Sequence, residues 1–238
     1  MQFAPAVSVI LPTYNERETL RVLAPRLVSA LAPYSSEILV VDDDSPDGTG
    51  QLVEELARTG PFRRLARRGR LGLASAVLEG FTKAQGRVLV VMDADGSHPP
   101  ETVPSLIDPI LAGRAEFVLA SRKLPGGSAP GLRGTRRAIS WIASSLARPL
   151  TAVSDPMSGF FAVSRPVLDR ARLTPLGFKI ALEVIVKCKP APLVEVPFCF
   201  ESRVAGNSKL DRGQIGGFLR HLWRLYVWRW SGRASSTR

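Results

Sequence analysis

The first half of the chain alternates short apolar runs with segments whose apolar residues recur at helical spacing. Val7–Leu11 is an apolar run that ends at Pro12, and residues 18–31 carry leucines at positions 20, 23, 27 and 31, which is the spacing of one helix face. Further strands are predicted at 37–41, 63–67 and 87–92, and further helices at 49–58 and 72–84. Because the runs at 37–41 and 87–92 are almost continuously apolar, they indicate a mostly parallel sheet with helices on both faces. The predicted fold class is α/β, doubly wound.

The second half follows the same alternation less regularly. Strands are predicted at 116–121 and 193–200, helices at 136–147 and 178–188, and a loop beginning at Ser154 leads into another strand at Phe161. The segment 215–230 has apolar residues at 215, 218, 219, 222, 223 and 226, which is the stripe of an amphipathic helix. We expect one α/β domain over residues 1–212, an amphipathic helix over 213–230 and a flexible tail over 231–238.

Polar residues follow three of the predicted strands at the point where each strand ends. These residues are Pro12–Glu16, Asp42–Asp44 and Asp93–Asp95. Because ligands of open α/β sheets bind at the carboxyl ends of the strands, the three segments are expected to meet at one binding edge.

Asp93 and Asp95 are spaced so that both carboxylates can converge on one cation at the opening of a loop. Mg²⁺ and Mn²⁺ prefer such oxygen ligands and complete their coordination with water and substrate phosphates. The alternative is that these aspartates serve turns and helix caps. Asp42–Asp44 has the same two interpretations, as a contact for a nucleotide base or ribose or as an Asx turn before the helix at Thr49.

The charge balance adds attraction to an anion. The 238 residues include 32 Lys and Arg against 21 Asp and Glu, a formal net charge of +11, which suits nucleic acid, anionic lipid and phosphorylated substrates alike. Six arginines fall within 58–70, and a second basic stretch begins at 201. No run reaches the roughly 18 apolar residues of a membrane span. The N-terminus lacks the features of a signal peptide, and Cys188 and Cys199 are expected to be reduced, buried thiols of a cytosolic protein.

Several familiar phosphate and catalytic motifs do not occur in the sequence. There is no P-loop and no G-x-G-x-x-G after the first strand. Only His98 and His221 are present, which gives little support to a histidine triad or a zinc site. Phosphate binding is therefore expected to depend on a metal ion and on Arg and Lys side chains.

Seven segments together carry a resemblance to a known family. They are PTYNE (12–16), VVDDDSPDGT (40–49), GLASAVLEGF (72–81), VVMDADGSHPPE (90–101), SRK (121–123), SDPMSGFF (154–161) and RVAGNSKL (203–210). The sequence resembles dolichyl-phosphate (polyprenyl-phosphate) mannose synthases, members of glycosyltransferase family 2 with the GT-A fold, over about residues 6–225.

The resemblance implies roles for individual residues. The donor-binding set is Pro12, Tyr14, Glu16, Val41, Asp43, Asp93, Ala94, Asp95, Arg203 and Lys209. The residues for the acceptor phosphate are Arg122, Arg136 and Ser140, and the metal ligands are Asp93, Asp95 and Ser97. The family often has Gln where this chain has Ser97. Asp95 and Arg122 are the expected catalytic residues, and Arg203 and Lys209 match a mobile loop that closes over the phosphates.

The activity implied is inverting transfer of mannose from GDP-mannose to dolichyl or polyprenyl phosphate, with Mg²⁺ or Mn²⁺ as cofactor. The implied location is peripheral, at the cytosolic face of a membrane. Whether a separate subunit anchors the protein to the membrane is left open by the resemblance. One alternative is transfer of glucose or another hexose from a UDP-sugar. The others are a non-catalytic membrane-surface or partner-binding subunit and a basic nucleic-acid-binding module. Acidic strand ends would repel nucleic acid, and no nucleic-acid motif is present, so no nucleic-acid partner is expected.

Overall fold

The computed structural model describes residues 4–130, 134–174, 179–201 and 212–231, with the backbone alone described at 134–138 and 212–215. Strands in these ranges form one seven-stranded sheet. They are β1 (Val7–Thr13), β2 (Ser36–Asp42), β3 (Phe62–Ala66), β4 (Val88–Val91), β5 (Phe117–Ser121), β6 (Phe161–Ser164) and β7 (Leu193–Pro197). The helices are α1 (Arg17–Leu31), α2 (Thr49–Leu56), α3 (Leu73–Lys83), α4 (Val103–Leu111), α5 (Gly134–Ala147), α6 (Arg165–Leu168), α7 (Ile180–Cys188) and α8 (Arg212–Trp230).

The strand order is β3-β2-β1-β4-β6-β5-β7. β1, β2, β3 and β4 pair in parallel, as do β5 and β7, while β6 runs antiparallel between β4 and β5. The expected mostly parallel α/β sheet is confirmed. The reversed strand β6 keeps β5 pointing in the same direction as β4, and both strands therefore end at the same edge.

Both faces of the sheet are covered by helices, as the continuous apolar runs predict. Val9 and Leu11 pack in one core cluster with residues of α1, α2 and α4, whereas Ile10 packs in a second cluster with α3 and α7. Successive residues of a strand point to opposite faces, and each of these side chains is fully buried.

A third, smaller cluster joins α5, α7 and α8. Phe218, Leu222 and Leu225 of α8 pack there with Leu182 of α7 and with Leu150, which follows α5. The predicted apolar stripe of α8 divides between two faces, because Phe218 and Leu222 are buried together with Leu225, whereas Leu219 and Trp223 are exposed. The helix begins at Arg212 in the structure, and its placement against α7 makes it part of the folded unit.

Element boundaries shift from the predictions by a few residues. β3 begins at Phe62 and ends at Ala66, α2 ends at Leu56, and β7 ends at Pro197. Helix α4 was missed, because its two prolines, Pro104 and Pro109, interrupt the sequence pattern. In the described part of the chain, no helix combines the length and apolar character needed to cross a membrane.

Candidate active site

The carboxyl ends of β1, β2 and β4 meet at one edge of the sheet, beside the first residue of β6. Thr13 at the end of β1 lies opposite Asp42 of β2, and Ile10 lies opposite Val91 at the end of β4. On the other side of β4, Val91 pairs with Phe161, the first residue of β6. The predicted meeting of the three polar segments at one edge is therefore what the strand register produces.

Asp93, Ala94, Asp95 and Ser97 form a tight loop after β4. The backbone N–H and hydroxyl of Ser97 both donate to Oδ1 of Asp95, at 3.0 and 2.5 Å. Ser97 is fully buried, Asp95 is nearly so, and the side chain of Asp93 is 31% exposed. In this structure, Ser97 thus fixes the Asp95 carboxylate.

The donor set of this loop fits a hard divalent ion that shares its coordination with a substrate. Among the described residues there is no group of three or more His, Cys, Asp and Glu side chains that could hold a metal. An all-protein cage is therefore not formed there, and two carboxylates are what Mg²⁺ ordinarily takes from a protein when substrate phosphates and waters supply the rest.

His98 contacts this loop and was not predicted to have a role. Its Nδ1 accepts the backbone N–H of Asp93 at 2.9 Å, and its ring stacks on Phe160. Burial lowers the pKa of His98, against the opposing charges of Asp93 and Asp95. The sequence signal was present in the segment HPPE, but a lone histidine gives no indication of its partner.

The expected nucleotide-base residues lie along the ends of β1 and β2. Tyr14 is half-buried, and the guanidinium of Arg70 lies 4.4 Å from the centre of its ring. Pro12 and Glu16 are half-buried beside it, and the backbone N–H of Glu16 donates to the hydroxyl of Thr49. Val41 is fully buried within β2.

Asp43, also assigned to the base pocket, is buried and engaged by protein groups. Its Oδ2 accepts the backbone N–H groups of Leu71 and Gly72 at 3.0 and 2.8 Å, and its Oδ1 lies 2.7 Å from Nη1 of Arg67. The carboxylate therefore anchors the loop before α3. Within the acidic run, Asp42 serves the turn, since its Oδ1 accepts the backbone N–H of Ser45 at 3.3 Å. Asp47, which follows the run, accepts the backbone N–H of Thr49 at the start of α2.

Half of the basic cluster at 58–70 consists of arginines paired within the fold. Arg63 pairs with Glu37, Arg64 with Asp42 and Glu54, and Arg67 with Asp43 and Glu79. Arg68 and Arg70 are exposed at the end of the cluster. Fewer of these arginines are therefore available to bind an anion than the net positive charge of the segment suggests.

Arg122 follows β5 at the same edge and is held by a buried carboxylate. Its Nε and Nη2 donate to Asp155 at 2.7 and 2.9 Å, and Asp155 is fully buried. Burial disfavours the charged form of Asp155, but the hydrogen bonds and charge of Arg122 outweigh it and hold the pKa of Asp155 below its usual value. The motif SDPMSGFF contained this residue, although its partner could not be read from sequence.

Two lysines bring further positive charge to the same region, and neither was predicted. Lys123 donates to the hydroxyl of Ser144 on α5 at 2.8 Å, and burial lowers its pKa. Lys179 donates to the carbonyl of Met157. Burial, with the nearby charge of Arg122, lowers the pKa of Lys179 to about 8.

The remaining predicted residues are less completely placed. Ser140 is half-buried on α5, and its carbonyl accepts the hydroxyl of Ser144. Arg136 lies on the same helix, but its side chain is outside the described residues, as are Arg203 and Lys209 entirely. Cys188 is buried as expected, whereas Cys199 is exposed, contrary to the prediction.

An exposed apolar surface lies on the neighbouring helices α5 and α8. On α8 it consists of Leu219, Trp223, Val227 and Trp230, and on α5 of Ile139, Trp141, Ile142 and Leu146. The two helices are joined by the hydroxyl of Tyr226, which donates to the carbonyl of Leu146 at 2.6 Å. Exposed tryptophans and aliphatic residues beside arginines are typical of an interfacial helix.

Comparison with known proteins matches the family expected from the motifs. The model of glycosyl transferase family 2 matches residues 8–171. The chain is 44% identical over 226 residues to a dolichol-phosphate mannosyltransferase of Pyrococcus furiosus, an alignment that covers 93% of this chain and 64% of that protein. It is 42% identical over 236 residues to the dolichol-phosphate mannosyltransferase of Saccharomyces cerevisiae, covering 93% of this chain and 87% of that one.

A solved structure gives the same fold at lower sequence similarity. Glucosyl-3-phosphoglycerate synthase from Mycobacterium tuberculosis, in complex with Mn²⁺, UDP-glucose and phosphoglyceric acid, superposes with a TM-score of 0.69 at 23% identity, covering 94% of this chain and 79% of that one. This superposition confirms the expected GT-A architecture, and the identity to the two mannosyltransferases confirms the resemblance to dolichyl-phosphate mannose synthases.

Proposed function

Because this chain belongs to glycosyl transferase family 2, we propose that it transfers mannose from GDP-mannose to a dolichyl or polyprenyl phosphate with inversion at the anomeric carbon. The similarity to the yeast mannosyltransferase over 93% of this chain supports the choice of sugar and acceptor. Mg²⁺ or Mn²⁺ is the proposed cofactor.

The observation that carries the proposal is the placement of opposite charges at one sheet edge. Asp93 and Asp95 follow β4, and Arg122 follows β5, which runs in the same direction. The two sides meet at His98, whose Nε2 lies 3.8 Å from Oδ2 of Asp93 and whose ring contacts Phe200, which in turn contacts the guanidinium of Arg122. A reaction between two phosphorylated substrates needs this combination, a carboxylate pair for a cation on the donor and a guanidinium for the acceptor phosphate.

On the donor side, Asp93 and Asp95 would hold the divalent ion against the diphosphate of the sugar nucleotide. When bound, such an ion neutralises the charge that develops on the departing diphosphate as a Lewis acid. The hydrogen bonds from Ser97 keep Asp95 in a single orientation. We assign the nucleotide base to the neighbourhood of Tyr14, whose ring lies against the guanidinium of Arg70. Pro12, Glu16, Val41 and Asp43 complete the proposed donor-binding set.

On the acceptor side, Arg122 would bind the polyprenyl phosphate. Charge-assisted hydrogen bonds from a guanidinium orient phosphate well, and Asp155 fixes the plane of this guanidinium. We assign Lys123, Arg136 and Ser140 to the same phosphate, and Arg203 and Lys209 to closure over both substrates.

The reaction then consists of one displacement. A phosphate oxygen of the acceptor forms a bond to the anomeric carbon as the bond from that carbon to the GDP oxygen breaks, and GDP leaves with the electron pair. The nucleophile is already ionised at neutral pH, and no proton has to be removed. Positioning and electrostatic stabilisation therefore account for most of the catalysis.

The lipid chain of the acceptor requires that the site lie at a membrane surface. We assign the membrane contact to the exposed apolar residues of α5 and α8, with Trp141 and Trp223 each 67% exposed. Peripheral binding at the cytosolic face of a membrane is the location that we propose with this assignment. A separate anchoring subunit is not required by it.

The direct test is a transfer assay with radiolabelled GDP-mannose or UDP-glucose, a short polyprenyl phosphate, and Mg²⁺ or Mn²⁺. We expect lipid-linked mannose from GDP-mannose alone, lost on chelation and in Asp95→Ala. Asp169→Ala is the matched control, because Asp169 is exposed beyond the far end of β6. Transfer from UDP-glucose instead would contradict the choice of donor, and no transfer from either would contradict the proposed activity.

A further inference from the structure

His98 contacts the backbone and approaches the side chain of the same aspartate. Its Nδ1 accepts the N–H of Asp93 at 2.9 Å, and its Nε2 lies 3.8 Å from Oδ2 of Asp93. Because Nδ1 acts as an acceptor, it carries no proton, and the ring proton is on Nε2, on the side of the carboxylate. A single imidazole thus contacts the backbone of a proposed metal ligand and lies close to its side-chain carboxylate.

The imidazole is held on three sides by phenylalanines. Phe160 stacks on it with ring centres 4.7 Å apart and planes inclined by 7°. Phe198 and Phe200 meet it at 5.7 and 6.1 Å in edge-to-face geometry. The side chain of His98 is 3% exposed, and rotation of the ring away from Asp93 would require these neighbours to repack.

The three phenylalanines come from two segments that flank the metal loop. Phe160 immediately precedes β6, whereas Phe198 and Phe200 follow β7. The second segment is also bonded to the loop directly, since the backbone N–H of Glu201 donates to the carbonyl of Ser97 at 3.0 Å. The packing around His98 therefore connects the loop that contains Asp93 and Asp95 to the segments next to β6 and β7.

Phe200 makes a second contact that extends the cluster to the acceptor arginine. The guanidinium of Arg122 lies 5.6 Å from the centre of the Phe200 ring, within the range of a cation–π contact. The order of contacts is thus Asp93, His98, Phe200 and Arg122, from the proposed metal ligand to the proposed phosphate-binding residue.

We propose that His98 is a positioning residue for metal binding, which sets the orientation of Asp93 by accepting its backbone N–H while the phenylalanine cluster fixes the ring. The inference rests on the proposed role of Asp93 and Asp95 as metal ligands. It differs from a purely structural role for His98, in which the ring only fills space among the phenylalanines.

Two substitutions separate the roles of the ring and of its nitrogen. His98→Phe keeps an aromatic ring in the stack and removes the acceptor for the Asp93 N–H. His98→Asn keeps an acceptor near the position of Nδ1 and removes most of the ring. A residue that orients a metal ligand typically changes metal affinity by about 10- to 100-fold when it is removed.

The measurement is Mn²⁺ binding to the full chain in the presence of GDP, by calorimetry and by the paramagnetic signal of free Mn²⁺, with the melting temperature recorded for each variant. We expect His98→Phe to bind Mn²⁺ at least about 10-fold more weakly than the wild type while it remains folded. His98→Asn should recover much of the affinity even though its melting temperature falls. Mn²⁺ affinity that is retained in His98→Phe, which keeps an aromatic ring, and lost in His98→Asn would overturn the inference.

Asp95→Ala and the wild type separate this inference from the function on which it rests. Mn²⁺ binding by the wild type that is lost in Asp95→Ala, together with wild-type affinity in His98→Phe, would overturn the role of His98 alone. Absence of Mn²⁺ binding to the wild type with GDP would overturn the metal site and this inference together. If His98→Phe fails to fold, His98→Gln, whose acceptor is displaced, is measured in its place. Weakened Mn²⁺ binding at wild-type stability in His98→Gln would support the inference, and unchanged Mn²⁺ binding would contradict it.

Discussion

Arg122 is bound to Asp155 through two side-chain hydrogen bonds and one from its own backbone N–H, at 2.7, 2.9 and 3.2 Å. Asp155 has no exposed surface, and the Arg122 side chain keeps 14% of its own. A buried carboxylate requires such compensation, and the pairing leaves the guanidinium in a fixed plane at the edge of the site. The side-chain pair uses two of the five N–H donors of the guanidinium.

Asp155→Asn should therefore damage both stability and acceptor binding. Removing one charge from a buried pair leaves the other uncompensated, and we expect the free energy of unfolding to fall by about 3 kcal/mol. The KM for polyprenyl phosphate should rise more than the KM for GDP-mannose. Urea unfolding and initial rates measure these effects. The double variant Arg122→Met, Asp155→Leu should regain stability without activity, and wild-type stability in Asp155→Asn would contradict the argument.

The lowered pKa of Lys179 predicts a dependence of stability on pH. Burial lowers this pKa to about 8 in the folded chain, from an ordinary value of 10.5. Between these values the unfolded chain binds a proton that the folded chain does not, so the free energy of unfolding rises with pH across this window. Below about pH 8, Lys179 is charged in the folded and the unfolded chain, and the folded state bears the full free-energy cost of burying the ammonium group.

Comparison of the wild type with Lys179→Met isolates this contribution from other titrating groups. Denaturant unfolding at several pH values should show the wild type gaining stability relative to the variant as the pH rises from about 8 to 10.5. Curves that stay parallel across the window would show that Lys179 is not desolvated.

The two cysteines should differ sharply in reactivity. Burial raises the pKa of the Cys188 thiol to about 11, which leaves little thiolate at neutral pH, whereas Cys199 is exposed. Because the thiolate is the nucleophile, a maleimide should label one thiol rapidly and the second only after unfolding. Cys199→Ser should abolish the rapid phase. Rapid labelling of two thiols in the native protein would place Cys188 at the surface.

Two glycines offer a matched pair of stability changes with opposite signs. A Cβ at Gly86 would lie 2.6 Å from the backbone nitrogen of Ser8, so Gly86→Ala should lower the free energy of unfolding by about 2 kcal/mol. A Cβ at Gly216, inside α8, would meet nothing within 4 Å, so Gly216→Ala should raise it by up to about 1 kcal/mol. Urea unfolding of both variants measures the difference, and equal effects would contradict the packing at Ser8.

Binding to membranes should depend on the exposed face of α8. Trp223→Glu introduces a charge into this apolar surface, and we expect it to reduce sedimentation with anionic phospholipid vesicles by about tenfold or more. Val22→Glu is the control, because Val22 is an exposed apolar residue on α1, which packs against α2 and α4. Equal loss in both variants, or no loss in Trp223→Glu, would remove α8 from the membrane contact.

The sequence by itself determined the sheet and the edge that carries the site. The run Val88–Val91 is apolar at every residue, and Val7–Leu11 at every residue but Ser8. Such runs require cover on both faces, and strands of this kind are parallel with their carboxyl ends together. Asp93 and Asp95 follow directly from one of these ends. The location of Asp93 and Asp95 could therefore be predicted from the apolar run before them and from the rule that parallel strands end at the same edge of a sheet.

The tertiary structure decided which side chains meet across the chain. Arg122 and Asp155 are 33 residues apart, and His98 contacts Phe160 and Phe198 from two later segments. Helical spacing in α8 gave the angle between Leu219, Trp223 and Leu225 but not which of them faces α7. Local patterns fix the relative directions of neighbouring side chains, whereas their partners depend on packing between elements that are distant in sequence.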